Sequence, residues 1–152
     1  MFTFTKDDGS KAVHTPRMPV RVLVVDDEES VRKYVERVLR EGGYQTTPAR
    51  DGNEALEIAK AQPPFGLLVT DLMMPNMNGD ELARRLRVQD PTLKVLYLTG
   101  FSDRLFKDKV TLWEDEAFLE KPCGVKAVLE AVSLLLFGTC EQPPDTAPVA
   151  QK

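Results

Sequence analysis

Apolar positions fall into two repeating patterns along the chain. Short β-branched and apolar runs, Val20-Arg21-Val22-Leu23-Val24-Val25 and Leu67-Leu68-Val69, read as strands buried on both faces. Each stops abruptly in acids, Asp26-Asp27-Glu28-Glu29 after the first and Asp71 after the second. Between them, Val31, Tyr34, Val35, Val38 and Leu39 recur at helical spacing and make one apolar stripe on a helix closed by Gly42-Gly43. Residues 44–49 form a weaker strand. Pro48 lacks a ladder donor there and so belongs at a sheet edge. Asp51-Gly52-Asn53 opens a short helix with Ala55, Leu56, Ile58 and Ala59 inward, and Gln62-Pro63-Pro64 stops it.

The second half repeats the alternation. Gly79–Gln89 is a helix burying Leu82, Ala83 and Leu86, broken by Asp90-Pro91. Residues 93–98 are a fourth strand ending at Thr99-Gly100, residues 102–112 a further helix, and Ala117-Phe118-Leu119 a fifth strand running into Glu120-Lys121-Pro122. The last helix carries Val125, Val128, Leu129, Val132, Leu135 and Leu136 on one face. Strand and helix alternate five times without an internal repeat. That order predicts an α/β fold: a single flavodoxin-like (βα)5 domain with a parallel five-stranded sheet and helices on both faces. An edge position for the Pro48 strand selects the order 2-1-3-4-5.

Composition narrows the setting. The 152 residues suit one domain, residues 20–137, between a polar N-terminal arm (1–19) and a Pro-rich tail (138–152) that reads as disordered. His14, the sole histidine, reads as a solvated residue of the arm. A net charge of −4 argues against direct nucleic-acid binding. Nothing resembles a membrane span or a signal peptide, so the cytoplasm is the expected location. Cys123 and Cys140 lie at no metal-ligand spacing and read as free thiols.

In a parallel sheet, Asp26, Asp27, Asp71, Thr99 and Lys121 all project at one edge, where ligands bind in open α/β folds. Taken alone, Asp26 to Glu29 reads as a solvated helix start suited to the helix dipole. Beside Asp71 and Lys121 it reads as a site, because neighbouring carboxylates repel and call for a cation. All-oxygen ligation without His or Cys points to a hard ion, Mg²⁺ above all, with Mn²⁺ as a substitute. The Lys121 ammonium and the Thr99 hydroxyl are what a phosphoryl group needs on its other oxygens, and a carboxylate beside such an ion can itself be the nucleophile.

Four motifs then carry a resemblance: Val24-Val25-Asp26-Asp27-Glu28, Asp71-Leu72-Met73-Met74-Pro75-Asn76-Met77-Asn78-Gly79, Leu98-Thr99-Gly100 and Phe118-Leu119-Glu120-Lys121-Pro122. In this order, at these strand ends, they resemble the CheY-like receiver domain of bacterial two-component response regulators over about residues 20–137. The resemblance implies that Asp71 accepts a phosphoryl group from a sensor histidine kinase or a histidine phosphotransfer protein. It implies that Asp26, Asp27, Asp71 and the Met73 backbone carbonyl hold Mg²⁺, and that Lys121, before a commonly cis Pro122, pairs with phosphoryl oxygens. Thr99 and Phe118 would move together as the switch and remake the face running from Thr99 to Leu136, where a downstream protein would dock. Homodimerisation is left open. Such a protein signals and is not a turnover enzyme, although it catalyses its own phosphorylation and dephosphorylation.

Several features depart from the family pattern or carry two readings. Phe118 lacks the hydroxyl of the frequent Tyr. Met73 and Phe101, two residues past Asp71 and Thr99, are expected as apolar neighbours to slow hydrolysis of the phosphoform. No output domain is expected after the last helix. The side chains of Met73, Met74 and Met77 read as packing or loop anchors, Phe106 and Trp113 as core or docking residues, and Cys123 as a filler at a helix start ahead of a redox-sensitive thiol. Two competing functions remain: a receiver detached from a hybrid histidine kinase, and a Mg²⁺-dependent phosphohydrolase of the haloacid dehalogenase type. The latter resembles Asp-x-Asp on the first strand, whereas Asp26-Asp27-Glu28 stands here.

Overall fold

The computed structural model describes residues 19–100 and 115–138. The chain runs β1 (Arg21–Val25), α1 (Glu29–Glu41), β2 (Gln45–Ala49), α2 (Gly52–Ala61), β3 (Leu67–Asp71), α3 (Gly79–Gln89), β4 (Lys94–Thr99), β5 (Glu116–Glu120) and α4 (Val125–Phe137). The helix expected over 102–112, with Phe101, Phe106 and Trp113, falls outside the described residues, as do His14, Cys140 and most of the two terminal segments.

The five strands form one sheet of order β2-β1-β3-β4-β5, and every pairing is parallel. The Pro48 strand is therefore at an edge, where its missing N–H breaks no outer ladder. Buried strands here are apolar at consecutive positions because both faces are covered. Leu23, Val25, Leu68, Val95 and Tyr97 pack on one side with α2 and α3 residues such as Ala55, Leu82 and Ala83. Val22, Val24, Leu67, Val69, Leu96 and Leu98 pack on the other with Val35, Val38 and Leu39 of α1 and Val128 and Val132 of α4. Alternate residues of one strand thus feed two cores, each of which needs helices on its side.

Local chemistry sets the helix ends. Asp51 caps α2 by accepting from the Glu54 N–H at 2.8 Å, while Glu54 Oε1 accepts from the Arg50 N–H at 2.7 Å. Gly138, at φ 76°, ends α4 in the left-handed region. Two expected inward positions face out: Tyr34 is 39% exposed and Val125 47%. Tyr34 lies at the rim of its stripe and sends its hydroxyl to the Cys123 carbonyl at 2.8 Å, bridging α1 to the loop before α4. Val125 is the first residue of α4, where no preceding turn shields it. No helix among the described residues is long and apolar enough to cross a membrane.

Candidate functional site

Because all five strands are parallel, the carboxyl ends of β1, β3, β4 and β5 lie along one edge, and the residues singled out by sequence stand there. Asp26 follows β1, Asp71 ends β3, Thr99 ends β4 and Lys121 follows β5. One carboxylate oxygen each from Asp26, Asp27 and Asp71 lies within 4.8 Å of the others. Asp26 and Asp71 are buried and Asp27 is exposed, so the cluster opens to solvent on one side. Lys121 Nζ reaches Asp26 Oδ2 at 3.3 Å and Asp71 Oδ1 at 3.4 Å.

Backbone geometry holds these groups. Asp26 Oδ1 accepts the Glu28 N–H at 2.9 Å, and Arg32 donates to the Asp26 carbonyl at 2.7 Å, so α1 fixes the acid from both ends. Thr70 donates to the Asp71 carbonyl at 2.9 Å. Gly79 N–H bonds the Leu72 carbonyl at 2.8 Å, which folds the loop after β3 back under its own strand. A Cβ at position 79 would collide with the Asp71 carbonyl oxygen. Glycine there lets α3 start directly against the acid. Met74 and Met77 anchor the same loop in the core, and Met73 projects outward, 43% exposed.

The electrostatics follow from burial. Desolvation raises the Asp26 carboxyl above its ordinary value, despite the Glu28 N–H and the Lys121 ammonium that lower it. Burial pulls the Lys121 ammonium down, but Asp26 and Asp71 outweigh it and hold its pKa above the usual 10.5. Three carboxylates cluster together, and the Lys121 ammonium meets two of them, Asp26 and Asp71. The Thr99 hydroxyl oxygen is buried with no hydrogen-bond partner among the described residues. Converging hard oxygens, an excess of negative charge and an unsatisfied hydroxyl fit a divalent cation with an oxyanion beside it.

Phe118 is half-buried on the α2/α3 core, with its ring 5.3 Å from that of Tyr97. The Lys121–Pro122 peptide is cis. Cys123 is half-buried against the α1/α4 core, with Sγ 3.1 Å from the Glu120 carbonyl. Sequence reasoning missed Arg32, whose role depends on one backbone carbonyl six residues upstream. It also missed Arg87, which ties the end of α3 to β5 through Glu116 at 2.8 Å. An acidic residue and an arginine 29 positions apart carry no sequence signal of pairing.

Comparison with known proteins agrees with this geometry. Residues 22–133 match the family model of the response regulator receiver domain. The chain is 33% identical over 117 residues to the response regulator receiver protein CpdR of Brucella abortus, an alignment covering 77% of this chain and 97% of that protein. It is 36% identical over 124 residues to the response regulator MprA of Mycolicibacterium vanbaalenii, covering 80% of this chain but 52% of MprA, about half that relative's length. Among solved structures, the receiver domain of the hybrid histidine kinase CckA superposes with a TM-score of 0.64 at 32% identity, covering 76% of this chain and 98% of that one.

Proposed function

The chain belongs to the response regulator receiver domain family, and from that premise we propose that it is a phosphorylation switch whose acceptor is Asp71, within a receiver unit of residues 20–137. The family is one of signalling phosphoacceptors that work with histidine kinases and downstream targets. The observation that carries the assignment to Asp71 is its position: buried at the end of the central strand, 3.4 Å from Lys121 and within the Asp26–Asp27 cluster.

Receiver domains hold Mg²⁺ at an acidic pocket, and Asp26, Asp27 and Asp71 would hold it here together with the Met73 carbonyl. When bound, the ion supplies charge that lets carboxylate and phosphoryl oxygens approach. An Asp71 carboxylate oxygen attacks phosphorus of a kinase or phosphotransfer-protein phosphohistidine. The new O–P bond forms as the P–N bond breaks, with its electron pair returning to the imidazole nitrogen. Lys121 leaves its carboxylate partners in part to pair with the transferred oxygens. Thr99, whose buried hydroxyl has no described partner, turns to the phosphoryl group, and Phe118 changes orientation with it. The face from Thr99 to Leu136 then meets the downstream protein. The exposed Met73 beside the acceptor makes the water approach less polar and favours a long-lived phosphoform.

Intact mass after incubation with acetyl phosphate tests the reading. A single base-labile phosphoryl adduct that requires Mg²⁺ and vanishes in Asp71→Asn is expected. Adduct formation in that variant at the wild-type rate would refute Asp71 as acceptor. A second reading, a receiver belonging to a hybrid histidine kinase, is favoured by the likeness to the CckA receiver. A kinase core in the same reading frame as this chain would support it.

A further inference from the structure

At the far end of the β4–β5 pair from Thr99 and Lys121 lies a buried polar network that the phosphoryl chemistry does not use. Arg87, in the last turn of α3, donates from Nε and Nη2 to the Leu93 carbonyl at 2.9 and 2.7 Å, and from Nη2 to the Asp115 carbonyl at 3.3 Å. Its Nη1 meets Glu116 Oε2 at 2.8 Å, with the two side chains 17% and 3% exposed. The same carboxylate oxygen accepts from the Tyr97 hydroxyl at 3.4 Å. Tyr97 is 1% exposed, so water cannot replace a lost partner. Burial first, then the Glu116 and Asp80 carboxylates, push the Tyr97 phenol far above its ordinary 10.0 against the opposing pull of Arg87, keeping it a neutral donor.

The ring of this tyrosine stands against the switch. Tyr97 and Phe118 are direct partners in the β4–β5 register, and their rings lie 5.3 Å apart at 37°. Tyr97 also precedes Thr99 by two residues, so both side chains leave β4 on the same face. Phe118 is half-buried, whereas Tyr97 beneath it is fully enclosed. A closely packed aromatic pair reorients only when one ring gives way. Tyr97 gives way only by stretching its bond to a carboxylate that Arg87 already clamps to the ends of α3, β4 and β5.

We propose that Tyr97, pinned through Glu116 by Arg87, is the positioning residue that sets the resting orientation of Phe118 and with it the threshold of the switch. The proposal rests on Phe118 being the switch aromatic of the receiver reading. It assigns the Arg87–Glu116 pair a part in signalling although both residues lie at the edge of the sheet away from the acids. Tyr97→Phe removes one hydroxyl and keeps the ring, and Arg87→Met removes the clamp while keeping an unbranched stem.

The experiment places 4-fluorophenylalanine at position 118 and reads the ring by ¹⁹F NMR, before and after Mg²⁺ and acetyl phosphate. Wild type is expected to show one dominant resting resonance that converts to a second on phosphorylation. In unphosphorylated Tyr97→Phe and Arg87→Met the second state should gain population by about two- to tenfold, the range set by one buried hydrogen bond. Resting populations equal to wild type in both variants, with a lowered urea midpoint, would make the network merely structural and overturn the proposal. Opposite shifts in the two variants would overturn the Arg87 link. If wild type forms no Mg²⁺-dependent adduct, the phosphoacceptor reading fails instead. The unphosphorylated spectra would still decide whether Tyr97 holds Phe118.

Discussion

Neutralising Asp71 should stabilise the protein when no divalent ion is present. Its charge lies within 4.8 Å of both Asp26 and Asp27 and 3.4 Å from Lys121. At an effective dielectric of about 20, each carboxylate pair at that limit repels by roughly 3.5 kcal/mol, and the Lys121 contact attracts by roughly 5 kcal/mol. Over the Asp26, Asp27 and Lys121 contacts alone, the difference leaves the Asp71 charge unfavourable by about 2 kcal/mol, before the cost of its burial is added. Asp71→Asn keeps the shape and removes the charge. Its melting temperature in EDTA should therefore rise, by about 4 °C for each kcal/mol gained in a domain of this size. Mg²⁺ should reverse the order: at a hundred times its dissociation constant a bound ion adds about 2.7 kcal/mol to wild type, and it should add much less to the variant. Calorimetry of both proteins, with and without Mg²⁺, provides the comparison. A variant that melts below wild type in EDTA, or that gains as much from Mg²⁺, would refute the argument that these carboxylates are charged together and await a cation.

Gly79→Ala is expected to lower the urea unfolding free energy by about 1–3 kcal/mol, although alanine is the better helix former, because its Cβ meets the Asp71 carbonyl oxygen; stabilisation would mean that the loop yields without strain. Thr99→Val should cost less than about 1 kcal/mol, since the hydroxyl it removes has no described partner. The same variant should slow adduct formation, and a larger loss in urea would place that hydroxyl in a bond already made at rest. Burial raises the Cys123 thiol above its ordinary 9.0 against the opposing Lys121 charge. In a Cys140→Ser background, iodoacetamide labelling of Cys123 should therefore be slow at pH 7 and climb about tenfold per pH unit through pH 9, as the thiolate fraction does; a rate that levels off by pH 8 would contradict the direction of the shift.

The sheet order and the convergence of the candidate acids at one sheet edge were legible in the sequence because each rests on a local signal. An apolar run that ends in acids marks both a doubly buried strand and its carboxyl end, as at Val25-Asp26 and Val69-Thr70-Asp71, and a parallel sheet brings such ends to one edge. Pro48 alone placed β2 at the margin, because a missing N–H is a property of the residue itself. Periodicity was less able to say which residue of a stripe reaches the core. Tyr34 and Val125 share their helices' spacing with buried neighbours, yet lie outside because exposure depends on where the next element crosses. Only the tertiary structure decided that Met73 faces out while Met74 and Met77 face in, and that desolvation raises Asp26 even with an ammonium beside it. It alone joined Tyr97 and Arg87 to Glu116 across separations of 19 and 29 residues. Such contacts depend on how the ends of α3, β4 and β5 pack together, and no propensity or spacing within a single segment encodes that.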